Sequence, residues 1–177
     1  MTNSRDFIPM HIAVLTVSDT RTLEDDKSGD VLEKCIKKAG HLLSSRLIIP
    51  DEKEQIVQVL ENWISDKNVD VILSTGGTGL TGRDVTVEAH KQLYEKEIEA
   101  FQTVFSIVSM RKIGTSAIQS RACAGVASGT YLFALPGSPS ACLDAWDEIL
   151  VFQFDYRHLP CNFVELVPRL GEVSRKK

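Results

Sequence analysis

The sequence lacks the cysteine and histidine spacing of metal-bound or disulfide-bonded domains. Its four cysteines include no CxxC pair, and its four histidines are dispersed along the chain. This spacing predicts neither a zinc site nor a disulfide framework. We expect the cysteines to be small apolar side chains of the core; they are Cys35, Cys123, Cys142 and Cys161.

Long apolar runs and an excess of positive charge are also missing. The first apolar run, Ile12 to Val17, is far too short for a membrane span or a signal peptide core. The 20 lysine and arginine residues are outnumbered by 24 aspartate and glutamate residues, and they form no basic stripe. We therefore expect a cytoplasmic protein whose partners include neither a membrane nor a nucleic acid.

The composition of the chain is that of a globular protein. Hydrophobic residues make up 43% of its 177 residues and charged residues 25%, which is enough to bury one substantial core. We predict a single domain over residues 1–177. Pro160, Pro168 and Gly171 make residues 157–177 an extended C-terminal tail in this prediction.

Strand and helix patterns alternate through the first half of the chain. Runs rich in β-branched residues at 11–17, 42–49 and 69–73 predict strands. Between them, apolar residues at helical spacing predict helices at 28–40 and 56–64. Parallel strands need such crossover helices, so we expect an α/β fold. The predicted architecture is a three-layer sandwich with a mostly parallel, doubly wound sheet and helices on both faces.

The second half continues with helices and one pair of strands. Helical spacing covers 86–94 and 98–110, and a final helix begins at Ser138-Pro139 and reaches about residue 154. Two apolar runs at 122–127 and 131–135 predict an antiparallel pair added at a sheet edge.

A glycine-rich loop directly follows the third predicted strand. It reads Thr75-Gly76-Gly77-Thr78-Gly79. Glycines let the backbone approach a ligand closely, and such a loop at the carboxyl edge of a parallel sheet presents amide donors to an anion. A tight turn is the simpler interpretation. Three glycines within four positions exceed the need of one turn, which favours a phosphate site.

Acidic residues near this loop predict a cation. Asp84 follows the loop, and Asp51 follows the second strand at the same edge of the sheet. Mg²⁺ suits one or two carboxylates combined with substrate phosphates. Two alternatives stay open: Asp84 or Thr86 caps the next helix, and Asp51 begins a capping box with Glu54, which the sequence alone favours.

Other polar residues follow the remaining strands. Ser18 and Asp19 come after the first strand and are good turn formers. Ser138 offers a helix N-terminus that could face an anion. Ser120-Arg121 is a weaker candidate, because a surface ion pair is the simpler role for Arg121.

Taken together, these residues resemble the MoaB/Mog family, whose members have the molybdopterin-binding fold. The similarity extends over nearly the whole chain, and its departure is Val87, where many relatives have proline. The matching segments are 16–21, 75–79, 83–86, 88–89, 113–116, 120–122, 124–125, 135–139 and 160–163.

The resemblance implies a function in molybdenum cofactor biosynthesis: Mg²⁺- and ATP-dependent adenylylation of the terminal phosphate of molybdopterin. It implies that Asp84 and Asp51 are the catalytic, metal-holding pair and that the glycine loop binds nucleotide phosphate. It also implies a trimer or hexamer. The remaining residues that it assigns to the cleft are Thr16, Ser18, Asp19, Arg83, Ser120, Gly137 and Ser138.

Two other functions are compatible with the same residues. One is a non-catalytic molybdopterin-binding or scaffold protein of the same pathway, and the intact Arg83-Asp84 pair favours the enzyme over it. The other is a nucleotide-binding regulatory domain, which would bind nucleotide without any need for a pterin.

Overall fold

The structure is a computed structural model that describes residues 5–172. Its strands are β1 (His11–Val17), β2 (Leu42–Ile49), β3 (Val71–Thr75), β4 (Lys96–Glu97), β5 (Cys123–Ala127) and β6 (Thr130–Leu135). They form one six-stranded sheet in the order β2-β1-β3-β6-β5-β4. The first four strands of this order are parallel. β5 pairs with β6 in the antiparallel direction, and β4 pairs with β5 in the same way. The mostly parallel sheet predicted from the sequence is confirmed.

The helices follow the predicted order. They are α1 (Lys27–Lys38), α2 (Lys53–Ile64), α3 (Thr86–Leu93), α4 (Glu99–Ile113), α5 (Pro139–Ala145) and α6 (Val151–Gln153). A π-helical turn at Trp146–Leu150 joins α5 to α6, and 3₁₀ helices occupy Gly114–Gln119 and Val164–Arg169.

Both faces of the sheet are buried, which explains the continuous apolar runs of the central strands. In β1, Ile12 and Val14 pack on one face with residues of α1, α4 and α5. Ala13 and Leu15 point to the opposite face, where α2 and α3 cover them. The three-layer sandwich is therefore also confirmed.

The third strand lies two residues further along the chain than predicted. β3 pairs with β1 up to Thr75, opposite Thr16, so the strand includes two hydroxyl residues. Ser74 and Thr75 are fully buried, but their hydroxyls bond to His90 and to the carbonyl of Pro136. Because these bonds satisfy the polar groups, the strand can continue where its apolar pattern ends.

The predicted antiparallel pair is confirmed as β5 and β6. Ser128 and Gly129 connect them in a two-residue turn with φ of 46° and 89°, as tight hairpins require. The pair does not form the edge itself: β6 pairs with β3, and β4 lies outside β5.

Part of the predicted C-terminal tail packs on the domain. The Tyr131 hydroxyl donates to the carbonyl of Phe163 at 3.1 Å, and Val164 is buried. Val167 and Leu170 rest against the same apolar cluster. The rest of the predicted tail, residues 173–177, lies outside the described residues.

Candidate functional site

The site lies where the chain reverses direction across the sheet. From β1 the chain moves to β2 on one side and then to β3 on the other, which makes the crevice between β1 and β3 the switch point. Ligands of open α/β sheets bind in the crevice outside the carboxyl ends of the strands at such a point. The glycine loop begins there, immediately after β3.

Two glycines of the loop are required by its geometry. Gly76 and Gly77 have φ of 98° and 62°, in the left-handed region that favours glycine. A Cβ on Gly76 would overlap the carbonyl oxygen of Val17, and the Gly76 amide donates to the carbonyl of Leu135 at 3.1 Å. The loop is therefore wedged between the ends of β1 and β6.

Gly77 faces two polar side chains from other elements. A Cβ there would overlap the hydroxyl of Thr86 and would lie 2.6 Å from Oδ1 of Asp51. The amide of Thr86 donates to the carbonyl of Gly77 at 3.0 Å, which ties α3 to the loop. The missing side chain at position 77 thus leaves room for both the carboxylate of Asp51 and the hydroxyl of Thr86.

Asp51 belongs to this site and not to a helix cap. The N-cap of α2 is Glu52, so the capping-box interpretation of Asp51 is wrong. Its amide donates to Oδ1 of Asp19 at 3.1 Å. Burial, followed by the negative charges of Asp19 and Asp84, raises the pKa of the Asp51 carboxyl above its ordinary value.

Asp84 also has no capping role, because the N-cap of α3 is Val85. The alternative that Asp84 or Thr86 caps this helix is therefore wrong. Oδ2 of Asp84 accepts from the Thr81 hydroxyl at 2.6 Å and from the Thr81 amide at 2.8 Å. These bonds, with one from the amide of Gly79, lower the pKa of the Asp84 carboxyl. Asp84 therefore ionises more easily than Asp51, whose pKa is raised.

Arg83 bridges the ends of two strands. Its guanidinium bonds to Asp19 at 2.8 Å and to Glu52 at 3.0 Å. The hydrogen bond from Arg83 holds the pKa of Asp19 below its ordinary value. Asp19 therefore contacts both Asp51 and Arg83, which places it between the second strand and the loop.

Two of the threonines expected in the site direct their hydroxyls elsewhere. Thr16 is buried and donates to Oδ2 of Asp26 at 2.8 Å. The hydroxyl of Thr75 donates to the carbonyl of Pro136 at 2.9 Å. Both hydroxyls join neighbouring elements of the fold. Thr78, the third threonine proposed from the sequence, lines the cleft beside the glycine loop.

The other predicted site residues lie in the turn after β1 and at the start of α5. Ser18 accepts from the amides of Thr20 and Arg21 at 3.3 Å, as the turn interpretation predicts. Ser138 caps α5 by accepting from the amide of Ala141 at 3.1 Å. A Cβ on Gly137 would lie 3.1 Å from Cα of Gly76, so the two backbones are in close contact.

A cleft of about 370 Å³ opens beside the glycine loop. Its walls come from the loop, the 3₁₀ helix Gly114–Gln119 and the β6–α5 turn. The lining residues are Gly76, Gly77, Thr78, Gly79, Asp84, Ser116, Gln119, Ser120, Pro136 and Gly137. The sequence did not predict Ser116 and Gln119 as lining residues, because their segment carries no recognisable binding motif.

A second cleft, of about 380 Å³, lies on the other side of Asp19. Ser18, Asp19 and Arg21 line it together with Leu47 and Pro50. Asp51 follows Pro50, and its Oδ1 lies beside Gly77. Acidic residues thus border both clefts, Asp19 the second and Asp84 the first.

Unpaired hydroxyls mark the same region. Within residues 5–172, three buried polar side-chain atoms have no hydrogen-bond partner, and two of them are the hydroxyls of Thr86 and Ser120. Leaving a buried polar group unpaired costs free energy, so such atoms in a crevice are typical of a site that a ligand completes.

Arg121 connects the loop to the strand pair. The predicted surface ion pair is confirmed, with Glu88 as its partner. The guanidinium also donates to the carbonyls of Gly79 at 2.7 Å and of Asp84 at 2.9 Å. These two bonds to the loop were not anticipated from the sequence, because the carbonyls of a loop carry no sequence signal.

The carboxylates do not form a complete metal cage by themselves. Among the described residues, no group of three or more histidine, cysteine, aspartate or glutamate side chains is arranged to hold a metal ion. A cation beside Asp51 and Asp84 would need further oxygen ligands. Over the same residues, no helix is long and apolar enough to span a bilayer.

The fold and the site together define a class of protein: an open α/β domain with a glycine loop and acidic side chains at the switch point of its sheet. Residues 13–155 match a family described as "Probable molybdopterin binding domain". The chain belongs to this family, as the sequence motifs predicted.

The chain is also similar to individual proteins of this family. The chain is 46% identical over 160 residues to molybdenum cofactor biosynthesis protein B of Escherichia coli K12, covering 90% of this chain and 94% of that protein. It is 43% identical over 140 residues to the probable molybdopterin adenylyltransferase of Methanocaldococcus jannaschii, covering 75% and 83%. A crystal structure of a molybdenum cofactor biosynthesis protein B matches with a TM-score of 0.85 at 36% identity, covering 94% and 98%.

Proposed function

We propose that this protein is a molybdopterin adenylyltransferase of molybdenum cofactor biosynthesis. It transfers adenylate from ATP to the terminal phosphate of molybdopterin, with Mg²⁺ as the cation. The name of the Methanocaldococcus jannaschii relative supports the reaction, and that of the Escherichia coli relative supports the pathway. The observation that carries the proposal is the convergence of the glycine loop, Asp51 and Asp84 at one crevice.

The reaction exchanges one phosphoanhydride bond for another. An oxygen of the molybdopterin phosphate attacks the α-phosphorus of ATP, the bond from that phosphorus to the bridging oxygen breaks, and pyrophosphate leaves. A phosphate nucleophile is already anionic, so no side chain has to remove a proton from it. The protein must bring two anions together and stabilise the charge that they share.

The glycine loop supplies donors for phosphate. Residues 76–79 of the loop line the cleft on one side, and Ser120 and Gly137 border it on the other. The unpaired hydroxyl of Ser120 can donate to a phosphate oxygen without breaking a bond in the fold. We assign the nucleotide phosphates to this cleft, next to Asp84.

The residues present fit a Mg²⁺ ion. The charges of Asp19 and Asp84 raise the pKa of Asp51, which means that these carboxylates repel one another. Arg83 opposes this effect on Asp51, but it is itself bonded to Asp19 and Glu52. Asp51 and Asp84 would hold the ion with phosphate oxygens completing its ligands, and its charge would offset that of the phosphates.

The proposal also covers the oligomeric state of the protein and the compartment in which it acts. Apolar side chains on the outer face of α4 support a homo-oligomer, a trimer or a hexamer; they are Val104, Ile107, Met110 and Ile113, each 43–58% exposed. We place the reaction in the cytoplasm, where ATP is supplied.

A direct assay tests the proposal. The protein is incubated with molybdopterin, ATP and Mg²⁺, and pyrophosphate and adenylylated molybdopterin are quantified. Both products should form in equal amounts. Asp84→Asn removes the charge but keeps the size, and we expect at least a hundredfold lower kcat, about 3 kcal/mol of transition-state stabilisation.

The control is Asp66→Asn, because Asp66 is an exposed residue of the turn after α2, at the opposite edge of the sheet. It should retain full activity. Molybdopterin binding without either product would instead identify a non-catalytic binding or scaffold protein.

A further inference from the structure

Arg121 makes three hydrogen bonds to the glycine loop from outside it. Its backbone amide donates to the carbonyl of Thr78 at 3.2 Å. Its Nε donates to the carbonyl of Gly79 at 2.7 Å, and its Nη2 donates to the carbonyl of Asp84 at 2.9 Å. One residue at the start of β5 therefore fixes both ends of the segment 78–84.

These bonds fix the backbone at both ends of the turn 80–84. A peptide group is planar and trans, so holding its C=O also fixes the direction of the following N–H. The carbonyls held by the Arg121 side chain precede Leu80 and Val85. Within this turn the Asp84 carboxylate accepts from Thr81, and a Cβ on Gly79 would lie 2.8 Å from its Oδ2. Arg121 therefore holds the segment that carries the Asp84 carboxylate.

All three nitrogens of the guanidinium bond to the protein itself. Nε and Nη2 bond to the two loop carbonyls, and Nη1 pairs with a carboxylate oxygen of Glu88. Arg121 is not one of the described residues that line the cleft. Its geometry is therefore that of a support for the loop and not that of a ligand for phosphate.

Arg121 also acts on the acidic side chain. The bond to the carbonyl of Asp84 anchors the backbone of that residue at 2.9 Å. Arg121 thus acts on one of the two carboxylates through the backbone that carries it.

We propose that Arg121 is a positioning residue for nucleotide binding: by holding the carbonyls of Gly79 and Asp84, it keeps the turn between them in place, and with it the Asp84 carboxylate, for contact with Mg²⁺-bound phosphate. The inference rests on the proposed function for the identity of the ligand. The contacts themselves belong to the unliganded protein, so they can be tested without any assay of turnover.

The test uses Arg121→Lys in the full-length protein. Lysine keeps the charge and can still pair with Glu88, but one ammonium cannot reproduce the planar fork that bonds two carbonyls and a carboxylate. We expect the Kd for Mg²⁺-ATP, measured by isothermal titration calorimetry, to rise at least about tenfold.

Two matched variants separate positioning from charge pairing and from general effects of the substitution. Glu88→Gln weakens the ion pair but leaves both bonds to the loop carbonyls, so its Kd should stay within about threefold of wild type. Arg157→Lys is the same substitution at an exposed arginine that pairs with Asp155, and it should leave the Kd unchanged. If Glu88→Gln weakened binding as much as Arg121→Lys, the ion pair would be the important contact and the proposal would be overturned.

Hydrogen–deuterium exchange of the unliganded proteins provides the second readout. Amides in residues 76–85 should exchange faster in Arg121→Lys than in wild type and both control variants, while amides of β1 and β3 keep their protection. Equal exchange in this segment would contradict the proposal. If the wild type bound no Mg²⁺-ATP, the proposed function would fail, whereas a faster-exchanging loop would still support the positioning role of Arg121.

Discussion

At Gly77 the backbone is left-handed, and the Thr86 hydroxyl and the Asp51 carboxylate occupy the space around the missing side chain. Gly77→Ala would introduce a Cβ 2.6 Å from that carboxylate and strain the backbone at φ of 62°. We expect the variant to lose about 1–3 kcal/mol of stability and Mg²⁺-ATP binding to weaken at least about tenfold.

Gly82 provides the control for this prediction. It lies in the same loop region, its φ is outside the left-handed range, and a Cβ there would meet no atom within 4 Å. Gly82→Ala should therefore leave both the midpoint of thermal unfolding and the Kd close to wild type. Normal nucleotide binding by Gly77→Ala would show that the space beside Asp51 is not part of the site.

The two carboxylates proposed to hold Mg²⁺ differ in their pKa, and this predicts the effect of pH. The pKa of Asp51 is raised and that of Asp84 is lowered, so Asp51 takes up a proton first as the pH falls. Cation binding needs the ionised form and should weaken as the pH falls through the raised pKa of Asp51.

Asp19→Asn removes one of the charges that raise this pKa, so the midpoint of the loss should move to lower pH. Titrations of Mn²⁺, used as a paramagnetic substitute for Mg²⁺, at several pH values measure it. A midpoint that is unchanged in Asp19→Asn would contradict the assigned electrostatics.

Individual roles were harder to predict from the sequence than the location of the site. The glycine loop and both acidic residues are recognisable because each follows a strand at the same edge. Asp51 nevertheless matched a capping box, which fails because α2 begins after Glu52. The hydroxyls of Thr16 and Thr75 were expected in the site, but which way a hydroxyl points depends on neighbours that come from distant parts of the chain.

Among the elements, α1 depends on a buried polar cluster at its start. Asp26 is fully buried and caps the helix by accepting from the amide of Gly29 at 2.9 Å. It also accepts from Thr16 and pairs with Arg46 at 2.8 Å. The cluster connects α1 to β1 and β2.

Asp26→Ala should destabilise the protein by about 3 kcal/mol, because it removes a cap and leaves Arg46 without its buried partner. Denaturant unfolding measures this loss. The control Asp25→Ala removes an exposed neighbour that accepts from Thr22, and should cost less than about 1 kcal/mol. Equal losses in the two variants would contradict the importance of the buried pair.

The order of the elements could be predicted from the sequence because their patterns are local. Apolar runs and helical spacing identify β1, β2, α1 and α2, and the order of elements then requires parallel strands. The bounds of β3 could not be predicted, since its last two residues are polar and are accepted only because His90 and Pro136 satisfy them. β4 was missed because two exposed residues carry no pattern.

For the whole molecule, the apolar outer face of α4 predicts self-association. Phe101 and Phe105 of this helix are buried in the core, whereas Ile107 on the outer face is 48% exposed. Ile107→Glu should lower the mass found by analytical ultracentrifugation from that of a trimer or hexamer. Gln58→Glu adds a charge on α2, on the opposite face of the sheet, and should not change the mass. A monomeric wild type would contradict the oligomer.

The central claim is that Asp51, Asp84 and the glycine loop share one Mg²⁺-bound nucleotide at the switch point of the sheet. A crystal structure with Mg²⁺ and a non-hydrolysable ATP analogue tests it most directly. We predict a cation about 2.0–2.1 Å from oxygens of both carboxylates, with analogue phosphates on the loop amides. A nucleotide bound elsewhere, or a cation that contacts neither Asp51 nor Asp84, would contradict the account.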